Sequence, residues 1–388
     1  MEKIKIGDVC DILNGYAFKS ENYVDSGIRI IRISNVQKGY IEDSTPAFYS
    51  FDTMGLSKFM LEEGDLLMSL TGNVGRVAIL EKELLPAALN QRVACLRLKS
   101  NKITKSYLFH FLNSNFFEQQ CIMASNGVAQ KNMSTEWLKD YEIPLYTPNQ
   151  QEEIVTVLNA AQSILSSRRQ QLQKLDELVK ARFVELFGDP VVNPKSWETA
   201  PLSALIINAN NGMARRGKDA DGSIVLRLVE LQNGFIDYSA PNRICLNDTE
   251  KKRYELVDND FLFARVNGNP DYVGRCAVFK SIGEPVFHND HIIRVHFDET
   301  KINGCFTSVL LNSDYGKRQM REQIKTSAGQ YTISQDGIGA IMAILPPLEL
   351  QEQFAAFVEQ TDKSKVAVQK ALDEAHLLFD SLMQKYFG

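Results

Sequence analysis

The chain is written twice, with a period of about 200 residues. Gln151-Glu152-Glu153-Ile154 returns as Gln351-Glu352-Gln353-Phe354, and Phe187-Gly188 returns as the final pair, Phe387-Gly388. Both pairs share an offset of 200 residues, so no gap falls between them. A duplication of this kind predicts two similar units related by a pseudo-twofold axis. It suits a partner that itself comes in two halves, and duplex DNA is the leading candidate.

Weaker echoes extend the repeat. Arg32–Ile41 lies over Arg227–Ile236, and Gly64–Met68 over Asn259–Phe263, both at offset 195. Val74-Gly75-Arg76 then matches Val273-Gly274-Arg275 at offset 199, as Leu112-Asn113-Ser114 matches Leu311-Asn312-Ser313. The second copy therefore carries four extra residues, within Arg265 to Tyr272. Framework segments keep register while turn-rich segments change length, as loops on a fixed scaffold do.

Each large unit reads as mixed α/β. Ile28–Ile33, Ile224–Leu228, Val93–Leu98 and Ile292–Phe297 have the β-branched or aliphatic runs of strands. Tyr107–Cys121 and Phe306–Ile324 have helical spacing. Each unit closes on a proline-rich exit, Ile143–Pro148 or Leu345-Pro346-Pro347, which stops the next helix from extending backwards. Residues 151–186 then contain no Gly or Pro. Their apolar stripe (Leu158, Ala161, Leu165, Leu172, Leu175, Val179, Leu186) has heptad spacing and includes Arg168 and Arg182. The second copy offers Val358, Val368, Leu372, Ala375, Phe379, Leu382 and Tyr386, interrupted by Thr361 and Lys365. A stripe this narrow fits a two-helix coiled coil, antiparallel in the simplest packing. At 1.5 Å per residue, 36 residues span about 54 Å, a spacer of fixed length. Two helices docked separately on their own domains are the plainer alternative. The expected divisions are 1–148 for the first globular domain, 149–190 for the first helix, 191–347 for the second domain and 348–388 for the second helix.

The net charge of −5 argues at first against nucleic acid. The acid excess is largest in the last segment, which carries −3, while residues 191–347 are neutral and 1–150 carry −1. Near-neutral domains can still present a basic face. No apolar run of 18 residues exists, so no membrane span is expected. The start, Met1–Ile6, lacks the apolar core of a signal peptide. Six cysteines stand in no CxxC pair and keep no place between the copies, as in a cytoplasmic protein with reduced thiols.

Phe187-Gly188-Asp189-Pro190, followed by Asn193-Pro194-Lys195-Ser196-Trp197, joins the first long helix to the second unit. Together with the Pro-then-Gln-Glu helix starts and the duplication, this stretch resembles the specificity subunit of Type I restriction–modification systems. The resemblance covers the whole chain and rests on the ordered set rather than on any one motif. It implies two target-recognition domains, each reading one half of a bipartite, asymmetric DNA site. It also implies an antiparallel coiled coil on which two modification subunits dock. Those subunits would hold S-adenosylmethionine and methylate adenine, and two motor–nuclease subunits would join for restriction. The specificity subunit itself would do no chemistry and hold no cofactor.

The residues agree with that division of labour. There is no NPPY- or DPPY-type loop, no glycine-rich cofactor loop after a strand and no GxxxxGK[ST] phosphate loop. His288-Asn289-Asp290-His291, with His296, superficially suggests a metal but has no Cys partner and runs into a strand. A polar loop at the strand start is the plainer reading, and base contact the more interesting one.

DNA readout needs Arg, Lys, Asn, Gln, Ser or Thr at base edges and phosphates. Three places in each unit combine these with turn residues. In the first unit the candidates are Lys19 in Asn14–Lys19; Asn73 and Arg76 after Thr71, with Gln91 and Arg92; and Asn126, Gln130 and Lys131 in a small-residue loop. In the second they are Arg215, Arg216 and Lys218; Arg265, Asn267 and Asn269 with His288, Asn289 and His291; and Thr326, Gln330 and Tyr331. A solvated turn with no ligand is the plain alternative for each. The loops match in place and differ in content, as two readers of different half-sites should. Arg76 and Arg275 do not vary between the units, so they suit a structural or phosphate-holding role better than specificity. A scaffold that binds only proteins through its coiled coil is the competing reading of the whole chain.

Overall fold

The computed structural model describes residues 2–125, 132–327 and 329–388. The chain forms two compact units, 1–169 with 370–388 and 170–369.

The units repeat one topology. In unit 1 a four-stranded antiparallel sheet runs in the order Cys10–Asn14, Val93–Leu98, Leu66–Ser69, Val77–Ile79. In unit 2 the order is Ile206–Asn211, Ile292–Phe297, Asp260–Ala264, Cys276–Val278. The central strands are largely apolar because both faces are covered, with successive side chains alternating between them. Leu66 and Met68 join the core formed with the helices, while Leu67 joins a second core beneath a smaller sheet. Phe261 and Phe263 divide from Leu262 in the same way. That smaller sheet contains Phe48–Tyr49, Ile28–Ile31 and Ala87–Leu89 in unit 1. Its equivalents are Arg243–Ile244, Ser223–Leu226 and Val286–His288.

The two expected globular helices are each broken in two. Lys105–Leu112 and Asn115–Ala124 replace the first, and Gly304–Asn312 and Asp314–Gln323 the second. The repeated Leu-Asn-Ser is the break. Asn113 and Asn312 donate back to the carbonyls of Phe109 and Ser308, at 3.0 and 2.9 Å. Ser114 and Ser313 then cap the next helix by accepting from Phe117 N and Gly316 N.

The long helices run Pro148–Phe187 and Leu348–Phe387. Within unit 1 the start of the first packs against the end of the second: Ile154 and Leu158 share a core with Met383 and Phe387. Within unit 2, Val179, Phe183 and Phe187 share a core with Phe354. The pairing is therefore antiparallel. Of the predicted stripe, Leu158, Ala161, Leu165, Val179 and Leu372 are buried, and Thr361 is buried as a polar member of it. The seam is more polar away from these blocks. In unit 2 Lys365 pairs with Asp176 at 2.7 Å, and in unit 1 Arg169 meets His376 at 3.2 Å.

The repeated Gln is a clamp. Gln151 is fully buried; its amide donates to Lys102 O and Tyr146 O and accepts from Thr104 N, all at 2.8–2.9 Å. Gln351 does the same with Lys301 O, Pro346 O and Asn303 N. Each clamp fixes the first turn of a long helix to the segment that starts a globular helix. Phe187 and Phe387 seal the other ends. Phe187 lies 4.7 Å from Phe306, and Phe387 lies 5.5 Å from Tyr107 and Phe111, ring centre to ring centre.

Candidate nucleic-acid interface

In unit 2, loops distant in sequence are laced together by backbone hydrogen bonds. Met213 N donates to His288 O, and Asp290 N to Met213 O, both at 3.0 Å. Arg265 N donates to His291 O at 2.8 Å, and Ile333 N to Arg265 O at 2.9 Å. Gly212 is required for this approach. A Cβ there would stand 2.3 Å from the carbonyl oxygens of both His288 and Asn289. The third loop is a sheet that the sequence did not predict: Val266–Asn267, Gln330–Thr332 and Lys325–Ser327, with Tyr331 paired to both Asn267 and Thr326. Arg265, Asn267, His291, Thr326, Gln330 and Tyr331 thus belong to one cluster, with the Arg215–Lys218 loop adjoining.

Unit 1 repeats the lacing. Tyr16 N donates to Leu89 O at 2.8 Å, Gln91 N to Tyr16 O at 3.0 Å, Leu70 N to Arg92 O and Met133 N to Leu70 O, both at 2.9 Å. Gly15 is as tightly placed as Gly212, 2.2 Å from the Asn90 backbone for a built Cβ. Thr71 bridges Asn132, which brings the third loop's end to the second. Lys19, Asn73, Gln91 and Arg92 are exposed around this junction. Asn126, Gln130 and Lys131 lie outside the described residues.

The side chains differ sharply in availability. Arg216 is 53% exposed and is held by Asp290 at 2.7 Å and His291 at 3.1 Å, so it is positioned yet open. Arg215 is a strut: it pairs with Glu250 at 3.0 Å and donates to the Cys245 carbonyl. Arg215, Arg216 and Asn289 line a hollow of about 140 Å³ with Arg227 and Asn242, two residues that the sequence did not single out. Lys218, Asn269, Thr326 and Gln330 are exposed, while Arg265, Asn267, His291 and Tyr331 are half-buried. Arg265 donates to the Asp290 carbonyl at 3.1 Å, which keeps its fork beside the loop it must support.

Two candidates must be withdrawn. His288 is completely buried on the Val286–His288 strand, its Nδ1 facing the Tyr254 carbonyl at 3.2 Å. Burial pushes its pKa down to about 4, so it stays neutral. It cannot reach a base. Asn289 is also buried, at the wall of the hollow, and its side-chain oxygen accepts from His291 N at 3.1 Å. All three residues of that strand are buried because both of its faces are covered, which a polar tetrapeptide conceals in the sequence.

The unvarying arginines have matching partners. Arg76 donates to Gln37, and Arg275 donates to Gln232 at 3.4 Å while lying 3.8 Å from the Tyr272 ring centre. Both ties join the strand-loop segment to the Gln-x-Gly hairpin of the same unit. His296 is likewise engaged, with Asp260 at 3.0 Å. It occupies the place held in unit 1 by Arg97, which grips Asp65. Among the described residues, no group of three or more His, Cys, Asp or Glu could hold a metal ion. Nor is any described helix long and apolar enough to cross a membrane.

Residues 1–177 match a family model described as the Type I restriction modification DNA specificity domain. The StySPI specificity subunit of Salmonella potsdam, a Type I restriction enzyme component, is 27% identical over 98% of this chain and 87% of its own. The EcoKI specificity subunit of Escherichia coli strain K12 is 22% identical over the same shares. Over nearly its whole length the chain is similar to Type I restriction–modification specificity subunits. The fold agrees over its full length. The solved S subunit from M. genitalium matches 100% of this chain and 96% of its own with a TM-score of 0.56, at 16% identity. A chain from a structural study of type I R-M complex assembly and conformational transition matches 99% of this chain and 97% of its own with a TM-score of 0.61, at 14% identity. Gln151, Gln351, Phe187 and Phe387 recur at the same places in both units and hold the long helices to them.

Proposed function

We propose that each laced loop cluster reads one half of a bipartite DNA site, and that the paired helices fix the spacing between the halves. The observation that carries this reading is the duplication of the lacing itself. Equivalent backbone bonds hold both clusters, yet the side chains they present differ: Lys19, Asn73, Gln91 and Arg92 in one, Arg216, Lys218, Asn267, Asn269 and Gln330 in the other. Repeated lacing with divergent content is what two readers of different sequences require.

The chain acts as the non-catalytic recognition subunit of its complex. Methylation, with S-adenosylmethionine, belongs to two modification subunits, and cleavage to two motor–nuclease subunits when they are present. Docking on the long helices is supported by apolar side chains left in solvent there: Ile164, Leu178, Val184, Val366, Leu377 and Leu378 are 47–72% exposed. The near-neutral units fit a division in which modification subunits supply most phosphate contacts. Co-expression with the modification subunits, followed by duplex binding and adenine-methylation assays, tests this. The expected result is one bipartite motif. Complex formation without any sequence preference would favour a protein scaffold instead.

A further inference from the structure

The helix Asp248–Tyr254 is a feature of unit 2 that none of the sequence candidates included. It carries Lys251, Lys252 and Arg253 in succession, all exposed. Among the described residues no carboxylate pairs with any of the three, though acidic side chains are plentiful in this unit. Their helix is held rigidly. Asn247 and Glu250 form a reciprocal capping box. Glu250 also takes Arg215 from the neighbouring loop at 3.0 Å. Asn210 donates to the Arg253 carbonyl at 3.4 Å, and Tyr254 packs on the buried His288. The three cations are therefore fixed to the Arg215–Lys218 loop and to the strand that ends in the His288–His291 loop.

The equivalent place in unit 1 is fixed by flanking pairs. Phe48–Tyr49 corresponds to Arg243–Ile244, and the Met60–Ala88 bridge to Glu255–Phe287. Leu56-Ser57-Lys58-Phe59 thus lies over Lys251-Lys252-Arg253-Tyr254. There the segment is a 3-10 turn preceded by Phe51 and Met54, which are 67% and 97% exposed, with Phe59 against Tyr16 at 5.3 Å. One unit presents a cationic helix beside its cluster, and the other an apolar tip.

We infer that Lys251, Lys252 and Arg253 hold the DNA phosphate backbone beside the half-site read by unit 2, and that unit 1 grips its half-site without such a helix. This rests on the reading that the loop clusters bind DNA. Three cations free of carboxylates on a pinned helix match a polyanion in charge, and their fixed attachment to the cluster would set register rather than read bases.

The test uses the chain co-expressed with its modification subunits and a fluorescent duplex carrying the site found for the wild-type complex. Affinity is measured between about 50 and 200 mM salt. The K251Q/K252Q/R253Q variant should lower the slope of log affinity against log salt by about 2 to 3, since each neutralised phosphate contributes roughly 0.9. Its ranking of single-base changes in the site should be unaltered, and Lys58→Gln should lower the slope by no more than about 1. A triple variant that keeps the wild-type slope while still discriminating its site overturns the inference and leaves DNA recognition standing. Altered base ranking overturns it too, by making these base contacts. A wild-type complex that discriminates no duplex overturns the DNA reading and the inference with it.

Discussion

Replacing Gln351 by Ala should cost unit 2 about 3–5 kcal/mol, and the figure follows from what its amide holds. The side chain is fully buried. It accepts from Asn303 N at 2.8 Å and donates to Pro346 O at 2.8 Å and Lys301 O at 3.3 Å. Ala would leave one amide and two carbonyls without their partner, the Pro346 carbonyl fully buried and the other two groups partly so. A stranded buried group costs about 1–3 kcal/mol, and the long bond to Lys301 counts at the low end. The assay is urea unfolding followed by Trp197, whose indole donates to Phe187 O at 2.9 Å within unit 2. A Trp137→Phe background leaves it as the single indole, since the chain has two tryptophans. The midpoint should fall with little change in slope. Gln351→Glu separates hydrogen bonding from size. Its carboxyl would face two carbonyl oxygens without water, which raises its folded pKa. A raised carboxyl pKa makes stability fall as pH rises, so this variant should be weaker at pH 7 than at pH 5. A loss below about 1 kcal/mol in Gln351→Ala, the value of one ordinary hydrogen bond, would refute the clamp. So would a pH-insensitive Gln351→Glu.

His288 makes unit 2 acid-sensitive. Its folded pKa of about 4 lies below the ordinary 6.5, so the unfolded chain takes the proton first as pH falls. Its contribution is complete above pH 6.5 and is lost between there and pH 4, up to about 3 kcal/mol at 1.36 kcal/mol per unit. Trp197-monitored urea melts across that window should show the loss, and His288→Gln should flatten it. Gly212→Ala should abolish discrimination in one half of the site and spare the other, because its methyl would meet two carbonyl oxygens at 2.3 Å. Binding to duplexes altered in one half at a time checks this. Phe187→Ala removes a ring packed on Phe183, Phe306 and Phe354. It should destabilise unit 2 by about 3–5 kcal/mol in Trp197-monitored melts, while Trp137 in a Trp197→Phe background reports little change in unit 1.

The duplication was legible because it lies in the framework. Gln151 and Gln351 recur because each satisfies three backbone groups that exist in both units. The heptad stripe was legible because a narrow seam leaves a periodic trace, and Val93–Leu98 and Ile292–Phe297 form strands over the bounds read from the sequence. The broken globular helices were not legible. Helical spacing continues across Asn113-Ser114, and only the capping bond to Phe117 N reveals the stop. The candidate site was legible in its loops but not in its side chains. Whether a polar residue at a strand end is buried depends on what covers each face of the sheet, and His288 and Asn289 are both covered. Arg215 looked like a free cation because its partner, Glu250, is 35 residues away in sequence. The basic helix left no distinct signal because a short charged run usually means nothing more than a solvated surface, and only its attachments distinguish it.

The adenine methylome of the source cell, compared with and without this gene, shows whether two independent readers act. One bipartite motif, two short specified blocks around an unspecified gap, should disappear with the gene. Exchanging residues 191–347 for those of another specificity subunit should change one block and leave the other. Loss of a single undivided motif, or a swap that changes both blocks together, would contradict two independent readers.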